Sequence, residues 1–253
     1  GFNGSAGLTT TEAQVKSVLE AAGTLTKAFI YVISNARLST TNYYVRISGA
    51  DSGIVVAVLT TATGIFEDTS NTAAVASGDS VNWRIAGAAV GAQSIITKHL
   101  AVSYETTDSS FNIMSSGNDT TFSAGTTRYC RPGCDLVQVT TESDAQITCP
   151  FAFTASNLGI NVNRNAATTN SSSTFYQNGS GTAVTLVITS LTTGYYEDTT
   201  NSVTVAATDT ISFEVIVGTV GSLGVASLAV KAVTTAVAAS SLIPQLTLLG
   251  AGF

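Results

Sequence analysis

The sequence predicts an all-β chain built as two tandem antiparallel β-sandwiches of jelly-roll type, the product of an internal duplication. Three observations carry this expectation. Short apolar runs alternate with period two and are separated by turn residues. Thr and Ser fill 40 and 29 of the 253 positions, whereas Glu, Lys and Gln, the usual helix-surface residues, are scarce. Residues 64–79, GIFEDTSNTAAVASGD, recur without a gap at 194–209 as GYYEDTTNSVTVAATD, an offset of 130.

Along the chain, TEAQVKSVLEAAG at 11–23 has local helical character: Thr11 and Gln14 stand at capping-box spacing, and Val15, Val18, Leu19 and Ala22 share a face. Its counterpart is DLVQVTTESDA at 135–145, which reads as strand, so strand is expected for both. Phe29, Tyr31, Ser34 and Asn35 match Phe151, Phe153, Ser156 and Asn157 at an offset of 122, which predicts an eight-residue insertion in the polar tract 163–174. Gly49 and Gly91 pair with Gly179 and Gly221 at 130. Val81, Trp83 and Ile85 alternate with Asn82 and Arg84, as Ile211, Phe213 and Val215 do with Ser212 and Glu214. About eight such runs fall in each copy with no long helix between them, which disfavours a parallel α/β sheet and favours two sheets packed face to face. The expected units are 1–106, 107–235 and an apolar C-terminal arm at 236–253.

Composition narrows the role. With 44% apolar residues the chain can fill a core. A net charge of −6, with ten scattered cations, does not suit a nucleic-acid surface, so no nucleic-acid partner is expected. A single histidine, His99, leaves little for imidazole catalysis or a zinc site, and no enzymatic activity is expected. No charged segment followed by an apolar one opens the chain, so no secretory signal is expected. Val215–Phe253 carries one charge, Lys231, but Gly218, Gly221, Gly224 and Pro244 interrupt it, and no membrane span is expected.

The repeated E-D-T-x-N element is the sharpest motif: Glu67, Asp68 and Asn71, then Glu197, Asp198 and Asn201. Adjacent strand residues face opposite ways, so Glu and Asp do not form an acid–base pair. Asp, Thr and Asn close turns onto nearby amides, which is the expected role; calcium is the functional alternative and the one cofactor considered, because carboxylate and amide oxygens cluster there. Asp79 and Asp209 suit a hairpin turn. Cys130 and Cys134 could close a small disulfide around a Pro-Gly turn; free thiols are the alternative, and the odd cysteine count argues against a framework. His99 is expected on the solvent side of a strand, and Trp83 in the core because Phe213 replaces it. Tyr43, Tyr44 and Tyr195 could stack on sugars, while Tyr196, which replaces Phe66, is expected in the core. The arm presents Leu242, Ile243, Leu246, Leu248, Leu249 and Phe253 with no charge, and docking onto a neighbouring subunit by strand addition is expected of it.

G-x-[FY]-E-D-T-x-N, followed by a Val-Ala-x-x-D turn and an aromatic core strand, resembles small jelly-roll modules in virion proteins of tailed bacteriophages, over most of 22–104 and 145–234. The resemblance implies a non-enzymatic structural subunit of the virion, a capsid decoration, head fibre or tail-associated protein. It implies no catalytic residues. The expected partners are other virion proteins and copies of the chain itself, in a symmetric homo-oligomer such as a trimer. A carbohydrate-binding surface module and a double jelly-roll major capsid protein are the alternatives; the former would place the chain at a cell surface.

Overall fold

A computed structural model describes residues 10–87, 93–106, 110–133 and 136–234. The first half runs β1 (Ser17–Val18), β2 (Gly23–Asn35), β3 (Thr41–Ile47), β4 (Ala50–Val58), β5 (Gly64–Asp68), β6 (Ala73–Val75), β7 (Ser80–Gly87) and β8 (Ile95–Thr106). The second runs β9 (Ser110–Ser123), β10 (Thr127–Cys130), β11 (Gln138–Val139), α1 (Glu142–Ala145), β12 (Ile147–Thr148), β13 (Phe153–Asn165), β14 (Ser171–Gln177), β15 (Ser180–Ile188), β16 (Gly194–Val205), β17 (Thr210–Ile216) and β18 (Ser222–Val233). All strand pairs are antiparallel.

Each half is a two-sheet sandwich. In the second, β12-β17-β14-β15 faces β9-β18-β13-β16, with β10 sharing the β12 edge of β17 and β11 beyond it. The first strand lies beside the last and the second beside the last but one, which is jelly-roll order. In the first half, β1-β7-β3-β4 faces a sheet with β2 at its centre, β8 on one side and β5 then β6 along the other. The order is the same, without a strand at the β9 position among the described residues.

Alternation delivers the cores. Leu25, Ile30, Tyr43, Val45, Ile54 and Trp83 meet in the first sandwich; Leu158, Ile160, Phe175, Val184, Ile211 and Phe213 meet in the second. Phe175 and Phe213 pack edge to face with centroids 5.9 Å apart. Trp83 takes the inward position expected of it, 8% exposed.

The two halves correspond in register. Ser17 pairs with Val81 as Ile147 does with Ile211. Phe29 pairs with Glu67 as Gly159 does with Glu197. Tyr43 pairs with Ile85 as Ser173 does with Val215. Each relation is an offset of 130. β2 and β13 have equal lengths of 13 residues, so the expected offset of 122 and its eight-residue insertion are incorrect. Asn35 corresponds to Asn165, not Asn157. The Asn35 Nδ2 donates to the carbonyls of Leu59 and Ala62, both at 3.0 Å, and the Asn165 Nδ2 to those of Thr189 and Thr192, both at 2.9 Å. Only in the last strand does the offset change, to 128: Ile30 pairs with Leu100, and Ile160 with Leu228.

The segment 11–23 is also corrected. It forms a 3-10 turn at Glu12–Gln14 and then the two-residue β1, and its counterpart is 141–153, where α1 precedes β12. The local helical pattern survives only as one turn, because the next residues pair along β7. Turns at Ser48–Gly49 and Asn178–Gly179 hold φ of 47°, 87°, 51° and 75°. Two consecutive left-handed residues make the two-residue hairpin whose twist matches the flanking strands.

Candidate functional site

Asp68 and Asp198 are the polar hubs of the two halves. At the end of β5, Oδ1 of Asp68 accepts from the backbone N–H of Ser70 (3.2 Å) and Asn71 (3.1 Å), Oδ2 accepts from that of Val55 on β4 (2.9 Å), and the Asn71 amide spans both oxygens. Asp198 does the same with Thr200, Asn201 and Thr185. Each carboxylate therefore closes its own turn and ties one edge strand of a sheet to the facing sheet. Burial opposes ionisation of Asp68, but the Asn71 amide and the N–H groups of Val55, Asn71 and Ser70 outweigh it and hold the carboxyl below its ordinary range. Asp198 is held low in the same way, against burial, by Thr200, Asn201 and Thr185.

These donor sets do not fit calcium. The groups facing the carboxylates are N–H donors, and the asparagines present nitrogen, so no cage of oxygens surrounds a cation position. Glu67 points outward, opposite Phe29, while Asp68 is 7% exposed; the Glu197 carboxylate accepts instead from Asn157 Nδ2 at 2.7 Å. The motif residues converge on a turn, without the glutamates. Among the described residues no group of three or more His, Cys, Asp or Glu could hold a metal. Asp79 and Asp209 brace the next turn, accepting from the N–H of Ala76 (2.8 Å) and Ala206 (2.7 Å).

Cys130 is a buried free thiol; its side chain lies in the second core, and burial pushes its pKa up to about 12. Cys134 lies outside the described residues. Cys149 is also buried and free, pushed up to about 11 by burial and by the nearby Asp209. Tyr43 is fully buried and its hydroxyl bonds Thr97 Oγ1 at 2.7 Å, so it offers no ring to a sugar. Tyr44 lies under the Arg84 guanidinium, 4.2 Å from the ring centroid, and Tyr196 packs against the second core. The His99 side chain and the arm residues Leu242, Ile243, Leu246, Leu248, Leu249 and Phe253 lie outside the described residues.

The outer faces of the β7-β3 and β17-β14 pairs differ. In the first half Arg46 bridges Glu12 (3.2 Å) and Asp51 (3.1 Å), and Arg84 pairs with Asp51. In the second, the Tyr176 hydroxyl donates to Glu214 at 2.8 Å and Tyr129 stands edge to face against Tyr176, centroids 5.6 Å apart.

Sequence reasoning missed the junction between the sandwiches. The corner at β1 packs on the outer face of the β16-β13-β18-β9 sheet. Val18 N–H donates to Ser227 Oγ (3.3 Å), Glu20 N–H to Asn112 Oδ1 (2.7 Å), and Asn161 Nδ2 to the Lys16 carbonyl (3.4 Å). Met114 and Ala229 of the second half join the core of the first. Glu20, 1% exposed, extends over Gly159, and its Oε2 accepts from the Tyr195 hydroxyl. Burial pushes the Glu20 carboxyl up to about 8, against the pull of the Tyr195 hydrogen bond, with a smaller upward push from the Glu197 charge. Burial and the two glutamates push the Tyr195 phenol far above its ordinary value. One glutamate in an apolar stretch carries no periodic signal, so nothing in the sequence marked Glu20. Comparison with known proteins finds no family model and no curated protein that matches this chain.

Proposed function

We propose that the chain is a non-enzymatic structural subunit of a virus particle, a capsid decoration, head-fibre or tail-associated protein that works by protein–protein assembly. One observation supports this above the others: the aspartates of the repeated motif are consumed in holding turns, while large apolar side chains stand on the surface. Ile33, Ile65 and Val187 on the outer faces are 45%, 65% and 61% exposed, and Leu191 in the turn between β15 and β16 is 65% exposed. Spent carboxylates and open apolar faces suit a scaffold that meets neighbours rather than a cleft that turns over substrate. The recurrence of strand pairings at an offset of 130 in every strand but the last supports origin by duplication. Antibody labelling of purified particles, with quantification of the chain per particle, tests the reading. A fixed copy number on the particle surface is expected; particles that lack the chain would overturn it.

The Tyr129–Tyr176 pair beside Glu214 favours one second reading, a carbohydrate-binding module. Saturable glycan binding lost in Tyr176→Ala would favour that reading over assembly alone.

A further inference from the structure

The junction between the sandwiches closes over a carboxyl group that no cation balances. Glu20 is 1% exposed; its Oε2 accepts from the Tyr195 hydroxyl, and its Oε1 is buried over Gly159 with no hydrogen-bond partner. β16 brings the Tyr195 phenol and the Glu197 carboxylate, a like charge that opposes ionisation of Glu20. β13 brings Gly159 and Asn161, which carry no charge, and β9 brings Asn112, whose Oδ1 holds the Glu20 N–H at 2.7 Å. β18 brings Lys231, opposite Asn112 in register. On the segment of Glu20 itself, the Lys16 amine lies near Gly49. On β8, Tyr104 donates its hydroxyl to the Ala21 carbonyl and Glu105 is exposed. Asp79, in the turn before β7, gives its carboxylate to Ser48 and Ala76. Among the described residues no cation forms an ion pair with Glu20.

A neutral carboxyl suits this place and a carboxylate does not. Ionised, Glu20 is a buried charge with one neutral donor, one bare oxygen and a like charge beside it. Opening the junction returns that charge to water, and few contacts oppose it. They are the bonds of Val18 to Ser227, Glu20 to Asn112 and Asn161 to Lys16, with the packing of Met114 and Ala229 on the first core. No strand ladder crosses the junction among the described residues, so each sandwich keeps its own sheets when it opens.

We infer that the junction is a proton-controlled latch: with Glu20 protonated the two sandwiches hold together, and loss of that proton lets them hinge apart with each still folded. This goes beyond the assembly reading and does not depend on it. In the closed chain the Glu20 carboxyl keeps its proton up to about pH 8, whereas in water it releases it near 4.5. The open-to-closed ratio therefore rises about tenfold per pH unit between those values and levels off above them. The Tyr195 phenol, pushed far above its ordinary value, stays protonated throughout.

Small-angle X-ray scattering of the full chain from pH 5 to 9, with a far-ultraviolet circular dichroism spectrum at each point, tests the inference. The wild type is expected to be compact at pH 5 and to expand toward pH 9 with its spectrum unchanged. Glu20→Gln, which cannot ionise, is expected to give the same radius of gyration at both ends. Glu197→Gln removes the like charge and is expected to move the expansion to higher pH. Tyr195→Phe removes the hydroxyl that holds the carboxyl and is expected to move it to lower pH. A wild type of constant size, or an expansion that comes with loss of the spectrum, would overturn the latch. So would a Glu20→Gln chain that expands as the wild type does, or shifts of the same direction in the other two variants.

Discussion

The Tyr195 hydroxyl donates to the Glu20 carboxylate across the junction of the two sandwiches, 175 residues apart in sequence. Glu20 lies outside the repeated motif, and Tyr195 fills its variable second position, where the first copy has Ile65. The pair exists because β1 brings Glu20 over Gly159, and Gly159 leaves room for a carboxyl between two β-sheets.

Glu20 makes stability depend on pH. Folded, its carboxyl keeps a proton up to about pH 8; unfolded, it releases it near 4.5. Its contribution is therefore complete below pH 4.5 and is lost as the pH rises through 8, a change on the order of a few kcal/mol. Glu20→Gln keeps an acceptor for Tyr195 and cannot ionise. Thermal midpoints from pH 5 to 9 are expected to fall less in the variant than in wild type; parallel profiles would count against a buried neutral Glu20.

Asp68 and Asp198 act in the opposite direction. Their folded carboxyls titrate below the ordinary value of 3.8, so their contribution is present above it and is lost as the pH falls through the folded value. Asp68→Ala leaves the N–H groups of Val55, Ser70 and Asn71 without their acceptor, at about 2–4 kcal/mol. Urea denaturation is expected to show a loss of that size, and Asp198→Ala a similar one.

Calcium is expected to leave the melting midpoint unmoved, because N–H donors already occupy both oxygens of each aspartate. A saturable rise with calcium, abolished in Asp68→Ala, would contradict the turn geometry.

Gly159→Ala tests the junction without entering either core. Its Cβ would stand 2.5 Å from the Tyr195 hydroxyl and 2.8 Å from Glu20 Cδ. In calorimetry the two sandwiches are expected to melt in separate steps in the variant. A single transition at the wild-type midpoint would show that the junction adds little coupling.

The thiols of Cys130 and Cys149 are expected to resist iodoacetamide at pH 8 in the folded chain and to react in denaturant, since both are buried and protonated there. Peptide mapping after labelling reads the outcome; a Cys130 cross-linked to Cys134 would appear as a peptide released only by reductant.

Much of the architecture is legible in the sequence. Period-two alternation at Val81, Trp83 and Ile85 placed two of the three in the core, because in a strand parity alone selects the face. The E-D-T-x-N turn was legible for a similar reason: Asp closes onto amides two and three residues ahead, a purely local geometry. Errors arose where identity and position disagree. Asn35 resembles Asn157 in its neighbours, yet Asn165 does its work, because Asn157 sits at a bulge of β13 with φ of 52°. Strand is expected across 11–23, but the capping-box spacing at Thr11 and Gln14 marks a real helical turn, and strand pairing along β7 is confined to Ser17 and Val18.

Local spacing and parity thus set the strands, the turns and the inward side chains, because those depend on residues within a few positions of one another. The junction belongs to the tertiary structure. Glu20, Asn112, Gly159 and Tyr195 meet only after both sandwiches have closed, and the raised Glu20 pKa follows from the burial which that meeting imposes. The same contact buries Ser17 to Ala21, whereas Pro150 and Phe151, which stand at the positions of Glu20 and Ala21 in the second half, stay exposed.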